Sequence, residues 1–494
     1  MVKKLISKYL IIYKELPIQV RASFWFLICA FLQKGISTIT TPIFTRLLTT
    51  EEFGQYNVFN SWHQILSPII CLNLYGGVYS QGIVKFEDDR HRFTSSLQGL
   101  AFTLACLWYV IYIVSKSFWN NLFSLNTIQM ICMIIIIWAS SSFCFWSMDQ
   151  RVDFKYRNLV PFTIISSLLQ PVVSIFLIIN SEDKVTARIV GMTLVQFVLF
   201  GAMFLYHEFK GKAFCIKKYW VYALKFNIPL LPHYLSMVVL SSSDRIMISR
   251  MVGDAEAGIY SLAYSVSLVM TMFNQALLQT LEPWIYRKLK EGKSKDIASV
   301  AYPVFAFIAV INILLILFAP EIIAFFAPES YKEAIWCIPA VSLSCYFMFL
   351  YTFFATFEFY YEKTNYIALA SIGGAILNII LNYFCILLFG YVAAAYTTLV
   401  CYILFSLMHY RFMVKVCNEY LGGLKPYDSK IIIGISLLSL VAGFTIRATY
   451  TNNLIRYCLI LLGVICIFTM RKKVSEFIET IMSIRKKQGD LDKT

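Results

Sequence analysis

The polar stretch TRLLTTEEFGQY, residues Thr45–Tyr56, separates two long apolar segments, and a similar stretch, SRMVGDAEAGIY, occupies Ser249–Tyr260. A second pair of similar stretches, TLVQFVLF from Thr193 and TLVCYILF from Thr398, has an offset of 205, close to the 204 of the first pair. Two matches at nearly one offset predict that the chain contains two copies of one block. The first pair shares four aligned residues: Arg46 with Arg250, Glu52 with Glu256, Gly54 with Gly258 and Tyr56 with Tyr260.

Each polar stretch predicts a tight turn between two helices. The glycine eases the bend. The glutamate of each stretch either caps the next helix or neutralises the neighbouring arginine. We interpret Arg46 and Arg250 as solvated charges at the outer rim of the molecule.

The composition is that of a membrane protein. Of 494 residues, 59% are hydrophobic and 14% are charged, well below the roughly 25% charged fraction of soluble domains. Apolar segments long enough to cross a bilayer as helices recur from end to end. Fourteen spans are predicted, centred near residues 34, 68, 104, 134, 169, 196, 235, 270, 309, 347, 377, 403, 439 and 462, and the second is either one long helix or a broken one.

The repeat and the spans together predict the architecture. Six spans separate equivalent positions, so the two copies share one orientation and are parallel repeats. We expect an all-α integral membrane protein with about 14 transmembrane helices, in which two six-helix lobes surround a central cavity and two C-terminal helices are added. The predicted regions are residues 1–210, residues 211–418 and residues 419–494.

The formal net charge of +15 reflects membrane orientation and not binding of nucleic acid. Of the 43 Lys and Arg residues, 33 lie in the N-terminal tail, in alternate loops and in the C-terminal tail, 8 lie in the other loops, and Lys34 and Arg245 lie within spans. This alternation follows the positive-inside rule and predicts an even number of crossings with both termini in the cytoplasm.

Both chain ends are predicted to lie on the inner membrane surface. The N-terminal 1–25 and the segment RKKVSEFIETIMSIRKKQG have the pattern of amphipathic anchor helices, and the alternative is a disordered basic tail. The thirteen cysteines are scattered through apolar runs without a C-x-x-C pair, so we expect neither disulfides nor a zinc site.

Two segments resemble a known family. TPIFTRLLTTEEFGQYNVF, after a span that contains a lysine, and PLLPHYLSMVVLSSSDRIMISRMVGDAEAGIYSLAYSV are similar to the polysaccharide transporter family of O-antigen and capsule repeat-unit flippases (Wzx type). Its superfamily also includes multidrug and toxin exporters and the lipid II flippase. The resemblance implies translocation of an undecaprenyl-diphosphate-linked oligosaccharide from the inner to the outer leaflet, by two lobes that alternate access to a central cavity.

A cation in the first span is the first candidate binding residue. Lys34 follows Gln33 and lies 13 residues after Arg21 and 12 before Arg46, which places it roughly 18 Å from each, near the bilayer midplane. Such a charge costs about 2.5–3.5 kcal/mol and is normally turned toward a cavity or a partner. We expect Lys34 and Gln33 to bind the diphosphate substrate. The alternative is a structural ion pair, with Asp244 as the candidate partner.

The seventh span holds a second cation. Arg245 suits phosphate binding because its guanidinium forms two parallel hydrogen bonds. Asp244 points about 100° away around the helix, so the two need not pair. Either Arg245 holds the headgroup, or Asp244 and Arg245 form gating ion pairs.

The remaining candidates lie on three spans. In the eighth, Asn274 and Gln275 are predicted to bind sugar hydroxyls, with helix packing as the alternative, and Glu282 is predicted to titrate during ion coupling, with a place at the inner interface as the alternative. His63 in the second span and His233, beside the helix-breaking Pro229 and Pro232, are candidate gating or coupling residues. The alternative for both is a buried hydrogen-bonding role.

Two other functions compete with the flippase. A multidrug exporter of the related family would favour carboxylates in its cavity, whereas Lys34 and Arg245 favour an anionic substrate. A membrane enzyme, such as a polysaccharide polymerase or acyltransferase, is disfavoured because no G-x-S-x-G, H-E-x-x-H or Walker motif occurs. We expect no cofactor, a coupling ion of either H⁺ or Na⁺, and as partners membrane lipids and the glycosyltransferases and polymerase of the same pathway.

Overall fold

The computed structural model describes residues 18–423 and 425–469, which form α-helices and short 3₁₀ turns without a strand. The chain folds into two compact units, unit 1 up to Ile246 and unit 2 from Met247. The helices up to this division are α1 Ile18–Leu47, α2 Thr50–Ile70, α3 Gly77–Lys85, α4 Arg90–Val114, α5 Lys116–Phe123, α6 Thr127–Val152, α7 Tyr156–Ile179, α8 Lys184–Gly211, α9 Lys217–Asn227 and α10 Leu231–Met251, within which the division falls.

Unit 2 contains eight further α-helices among the described residues. They are α11 Asp254–Lys290, α12 Ile297–Leu317, α13 Ala319–Phe326, α14 Ile338–Tyr360, α15 Thr364–Phe389, α16 Ala393–Tyr420, α17 Ser429–Ala448 and α18 Asn453–Thr469. The 3₁₀ turns of the chain are Glu87–Asp89, Ser294–Asp296 and Glu329–Trp336. Of the predicted amphipathic tails, residues 1–17 and the C-terminal segment lie outside the described residues, whereas residues 18–25 form the start of α1.

The predicted all-α membrane fold is confirmed. Eleven described helices are long and apolar enough to cross a membrane, and α9 with α10 forms a twelfth, bent span. The remaining two predicted spans correspond to α2 with α3 and to α18, and every one of the fourteen predicted centres lies within a helix. The chain is therefore a multi-pass membrane protein.

The two repeated polar stretches both form a helix start, but they do so with different contacts. Thr49 caps α2, because its hydroxyl accepts a hydrogen bond from the Glu52 amide at 3.1 Å while the Glu52 carboxylate accepts one from the Thr49 amide at 2.8 Å. This reciprocal capping box confirms the capping role predicted for Glu52. At the second stretch, Gly253 precedes α11, and the hydroxyl of Ser249 donates to the Asp254 carboxylate.

Two of the predicted spans in unit 1 are interrupted, and their breaks adjoin. The chain leaves the helix between α2 and α3, where Leu72 and Asn73 take the left-handed conformation. It breaks again between α9 and α10 with a bend of 55°, as Pro229 and Pro232 predict. A Cβ at Gly77, the first residue of α3, would lie 3.5 Å from the Phe226 ring, so the two broken spans meet at their breaks.

The connection after α8 docks tightly onto α4. The amides of Ala213 and Ile216 donate to the hydroxyls of Ser95 and Ser96 at 3.2 and 2.9 Å. A Cβ at Gly211 would lie 2.3 Å from the carbonyl oxygen of His91, so only glycine fits there. This docking extends unit 1 beyond residue 210. The predicted boundaries at 210 and 418 describe the sequence repeat, and they stay predictions.

Each unit also has a buried polar link between its helices. In unit 1, Gln196 on α8 accepts from the Ser140 hydroxyl at 2.9 Å and donates to Gln170 at 3.1 Å. In unit 2, Asn382 donates to Asn378 at 3.1 Å and accepts from the Thr397 hydroxyl. Such amide and hydroxyl contacts hold membrane helices together where apolar burial supplies no driving force. All the described cysteines are free thiols.

Candidate functional site

The second half of α10 carries a buried polar stretch. Asp244 is 1% exposed and Arg245 9% exposed, and they follow the buried Ser242 and Ser243. Successive residues turn by 100° around a helix, so these consecutive buried residues lie on every side of α10. Charged side chains are seldom buried to this extent unless they are paired or functional.

The stretch is tied to its surroundings by hydrogen bonds in unit 1. The Arg245 guanidinium donates to the carbonyl oxygen of Ser241 at 3.3 Å. The Ser242 hydroxyl donates to the Gln64 side-chain oxygen at 3.3 Å, which joins α10 to α2. The structure thus brings the predicted residues Asp244 and Arg245 to the same level as His63, the residue before Gln64.

The other candidate cation lies on α1. Lys34 and Gln33 are both exposed, and the carbonyl oxygen of Lys34 accepts a hydrogen bond from the Thr38 hydroxyl at 3.0 Å. The side chains at this level of α1 are therefore not covered by neighbouring helices. A lysine so placed within an apolar span can reach an anionic group.

Two histidines of unit 1 are half-buried. His63 Nε2 and His233 Nδ1 have no hydrogen-bond partner among the described residues. His233 lies one residue after Pro232 at the start of α10, and its ring is 6.0 Å from the ring of Tyr234. These two ring nitrogens therefore do not make the hydrogen bonds that a buried hydrogen-bonding role would require. The gating or coupling role stays a prediction for both residues.

The candidates of unit 2 are spread along α11. Asn274 is buried and donates to the carbonyl oxygen of Cys345 on α14 at 2.8 Å, a contact that belongs to the helix-packing alternative. Gln275, its neighbour, is exposed. Glu282 is half-buried and accepts a hydrogen bond from the Tyr286 hydroxyl at 2.9 Å. The three residues thus form no single cluster, and their predicted roles stay predictions.

Sequence reasoning missed a charged network at one end of unit 1. Arg90 at the start of α4 contacts Asp149 of α6 at 2.5 Å and Asp153 at 2.6 Å, and Lys155 contacts Asp153 at 2.6 Å. Burial alone raises the pKa of Asp153, but the hydrogen bonds from Lys155 and Arg90 hold it below its ordinary value. The signal in the sequence was the pair of aspartates at the end of an apolar span.

A cleft of about 510 Å³ lies beside this network. Acidic and basic side chains line it in similar numbers, so it offers no excess of positive charge for an anion. Its lining residues are Glu87, Asp88, Asp89, Arg90, His91, Arg92, Asp149, Asp153, Lys155 and Lys210. Within the described ranges, no three potential ligands among His, Cys, Asp and Glu come together to hold a metal ion.

Sequence reasoning also missed a buried pair in unit 2. Glu358 near the end of α14 lies 2.8 Å from His409 Nδ1 on α16, and their side chains are 0% and 1% exposed. A glutamate inside an apolar span needs a partner, because an unpaired charge there is costly. That rule identifies Glu358 as unusual, but the partner on another span is visible only in three dimensions.

Relatives among known proteins are distant. The chain is 27% identical over 212 residues to a protein of the Lsg locus of Haemophilus influenzae, which covers 40% of this chain and 51% of that protein. It is 21% identical over 360 residues to an uncharacterized membrane protein of the same organism, covering 69% and 83% of the two chains. It is 30% identical over 227 residues to an uncharacterized membrane protein of Methanocaldococcus jannaschii, covering 41% and 51%. The chain thus spans about half the length of two of these relatives.

Solved structures share the fold. A multidrug resistance MATE family transporter of the MOP superfamily, in its inward-facing conformation, matches with a TM-score of 0.57 at 10% identity, covering 78% of this chain and 96% of that one. Its outward-facing conformation matches with a TM-score of 0.56 at 11% identity, covering 82% and 97%. A MOP superfamily transporter from Pyrococcus furiosus, whose binding pocket is described as reversed in polarity, matches with a TM-score of 0.53 at 12% identity, covering 81% and 96%.

Two family profiles match the chain. The MatE profile matches residues 229–384. The profile described as polysaccharide biosynthesis protein matches residues 20–289, from the start of α1 to the end of α11, which is more than half of the chain. The fold is that of MOP superfamily transporters, and the chain belongs to the polysaccharide biosynthesis protein family.

Proposed function

We propose that this protein is a flippase that moves an undecaprenyl-diphosphate-linked oligosaccharide from the inner to the outer leaflet of the bacterial plasma membrane. The observation that carries the proposal is the match to the polysaccharide biosynthesis family across α1–α11, on a fold shared with transporters. The cations placed within two spans supply the chemistry that an anionic lipid-linked sugar requires.

The substrate sets three physical demands. Its diphosphate and sugar hydroxyls must leave water and cross the level of the hydrocarbon, while its isoprenoid chain stays there. An exposed Lys34 on α1 and an Arg245 on α10 offer positive charge within the span of the membrane. Charge-assisted hydrogen bonds to phosphate are roughly twice as strong as neutral ones, so these residues suit the diphosphate better than the sugar.

The cycle that we propose is alternating access. The headgroup enters from the cytoplasmic side, Lys34 and Arg245 hold its diphosphate, the two repeats rearrange, and the headgroup leaves on the outer side. Asp244 acts at the gate, and an ion gradient supplies the energy. Both termini lie in the cytoplasm, where the pathway's glycosyltransferases would deliver the substrate, and a polymerase would receive it outside. The protein itself performs no chemical conversion.

Reconstituted protein tests the proposal. Fluorescent undecaprenyl-diphosphate-N-acetylglucosamine is incorporated into proteoliposomes, and its transfer between leaflets is followed by quenching from outside. Loss of one charge-assisted contact costs about 1.5–3 kcal/mol, so Lys34→Ala should weaken half-saturation roughly 10- to 100-fold. Lys116→Ala, which removes an exposed lysine at the start of α5, is the matched control and should leave it unchanged.

The second candidate function is a multidrug exporter. The MatE match over residues 229–384 and the MATE fold neighbours favour it. Cationic drugs would bind carboxylates and avoid Lys34. Binding of ethidium that improves in Lys34→Ala, together with no transfer of the lipid-linked sugar by the intact protein, would favour the exporter over the flippase.

A further inference from the structure

The buried pair of unit 2 joins two membrane-spanning helices. His409 Nδ1 on α16 and Glu358 Oε1 on α14 are hydrogen-bonded at 2.8 Å, and both side chains are almost fully enclosed. Counted along each helix, Glu358 lies about 30 Å from the start of α14 and His409 about 24 Å from the start of α16. Both are therefore near the same end of unit 2, the end that the charge pattern assigns to the cytoplasm.

Half of the hydrogen-bonding capacity of the pair is unused. Glu358 Oε2 and His409 Nε2 are buried and have no hydrogen-bond partner in the described part of the chain. Aromatic rings surround the imidazole instead, with the centroids of Tyr351, Phe405 and Phe412 at 5.5, 4.8 and 6.3 Å. Buried polar atoms are normally satisfied, so these two are available to a very small ligand.

The charge of the pair depends on one proton. An ionised Glu358 beside a neutral His409 carries a net charge of −1 in an apolar, aromatic enclosure, and burying such a charge costs several kcal/mol. Binding one proton makes the pair neutral overall, whichever of the two residues holds it. The enclosed geometry is therefore compatible with the proton-loaded pair.

Several other ionisable groups at this end of unit 2 have partners of their own. Lys363 pairs with Glu419 at 2.7 Å, and Glu282 accepts from Tyr286. The Tyr302 hydroxyl accepts from the Asp428 amide. The titratable and charged side chains on the elements packed around the pair include Tyr351 and Tyr360 on α14, Tyr402, Tyr410, Arg411, Lys415, Cys417, Glu419 and Tyr420 on α16, Lys363 and Tyr366 at the start of α15, Glu282 and Tyr286 on α11, Tyr302 on α12, and Tyr427, Asp428 and Lys430 at the start of α17.

We propose that Glu358 and His409 form the proton-binding site through which a pH gradient drives this transporter, an inference that rests on the proposed transport function and names its coupling ion. A proton from water binds when the packing of α14 against α16 loosens, and the neutral pair then closes into the arrangement seen here. Reopening on the other side of the cycle releases the proton to water. Each cycle carries one proton across the membrane. The bond between that proton and the pair forms and breaks, and no other covalent bond changes.

The first test measures proton binding without any substrate. The intact protein in nanodiscs of phosphatidylethanolamine and phosphatidylglycerol is titrated while infrared difference spectra record the carboxylic acid, carboxylate and imidazole bands. The wild-type protein should show a pH-dependent band that Glu358→Gln removes and that Glu329→Gln, a control at an exposed glutamate of the 3₁₀ turn Glu329–Trp336, retains. Identical spectra for wild type and Glu358→Gln would overturn the proposal.

The second test measures coupling. Proteoliposomes transferring fluorescent undecaprenyl-diphosphate-N-acetylglucosamine are compared with and without a pH gradient. The wild type should be accelerated at least tenfold by one orientation of the gradient, and Glu358→Gln should transfer the lipid no faster with the gradient than without it. Where that variant is not monodisperse, Glu358→Gln with His409→Asn is used, since two amides can preserve one hydrogen bond between the helices.

The outcomes separate the two proposals. If the wild type transfers the lipid at a rate that does not depend on the pH gradient, the flippase proposal is supported and the coupling site is overturned. An absence of transfer, with a carboxyl band that belongs to Glu358, overturns the flippase but supports a proton site. A Glu358→Gln protein that still responds to the gradient like the wild type overturns the coupling site outright.

Discussion

The fourth span of each sequence repeat ends with a buried carboxylate, and the two spans satisfy it differently. In unit 1, Asp149 on α6 is held by the permanently charged Arg90. In unit 2, Glu358 on α14 is held by His409. Arginine remains charged at every accessible pH, whereas histidine has a neutral and a charged form. The carboxylate at this end of the fold is thus held by a fixed charge in unit 1 and, in the proposal above, belongs to a pair that binds a proton in unit 2.

Among the changes that test this comparison, removal of Arg90 should have the largest effect on stability. Arg90→Ala leaves the nearly buried Asp149 carboxylate without its charged partner, so we expect a loss of about 3–5 kcal/mol in the free energy of unfolding. Urea unfolding of the detergent-solubilised protein measures it. Arg92→Ala is the control, since Arg92 is 60% exposed and 3.8 Å from Asp89, and should cost under about 1 kcal/mol. Equal losses in both variants would contradict the assigned role of Arg90.

A glycine change should test how tightly the same end of unit 1 is packed. A Cβ at Gly211 would lie 2.3 Å from the His91 carbonyl oxygen, and backbone cannot move aside as a flexible side chain can. Gly211→Ala should cost about 1–3 kcal/mol by overpacking, measured by the same unfolding assay. Gly434→Ala on α17 of unit 2 meets no atom within 4 Å and should be neutral or slightly stabilising.

Neutralising Glu358 should be milder than removing Arg90, which sharpens the comparison. Glu358→Gln keeps the shape of the side chain and can still hydrogen-bond His409, so we expect a change of about 1 kcal/mol in unfolding free energy. Glu358→Leu, which leaves His409 Nδ1 without its partner, should cost more, about 1–3 kcal/mol. A loss for Glu358→Gln as large as that for Arg90→Ala would mean that the unit 2 carboxylate is held as a fixed charge.

The smallest expected effect concerns acid. The pKa of Asp153 is lowered in the folded protein, so its contribution to stability is present above the ordinary value of 3.8 and is lost as pH falls through the folded value. We therefore expect the wild type to lose under about 1 kcal/mol more than Asp153→Asn between pH 6 and pH 3. Unfolding curves at both pH values, compared for the two proteins, measure this difference.

The sequence predicted the fold far better than the contacts of the candidate residues. Apolar runs predict spans directly because hydrocarbon excludes unpaired backbone polar groups. The capping role of Glu52 was predictable because its partner lies only three residues away in the sequence. Asn274 shows the opposite case, since its hydrogen bond to Cys345 depends on which spans pack together. The Glu358–His409 pair escaped notice for the same reason, as 51 positions separate its members.

The adjoining breaks in unit 1 have a consequence for its surroundings. The peptide groups at 71–76 and 228–230 lie outside continuous helices, and turn hydrogen bonds, such as those from the Gly76 amide to the Asn73 carbonyl oxygen and from the Leu230 amide to the Asn227 carbonyl oxygen, satisfy part of them. The peptide groups that keep no such partner need water or polypeptide beside them, because acyl chains cannot form hydrogen bonds. A polar environment is therefore expected wherever either break lies at the depth of the hydrocarbon.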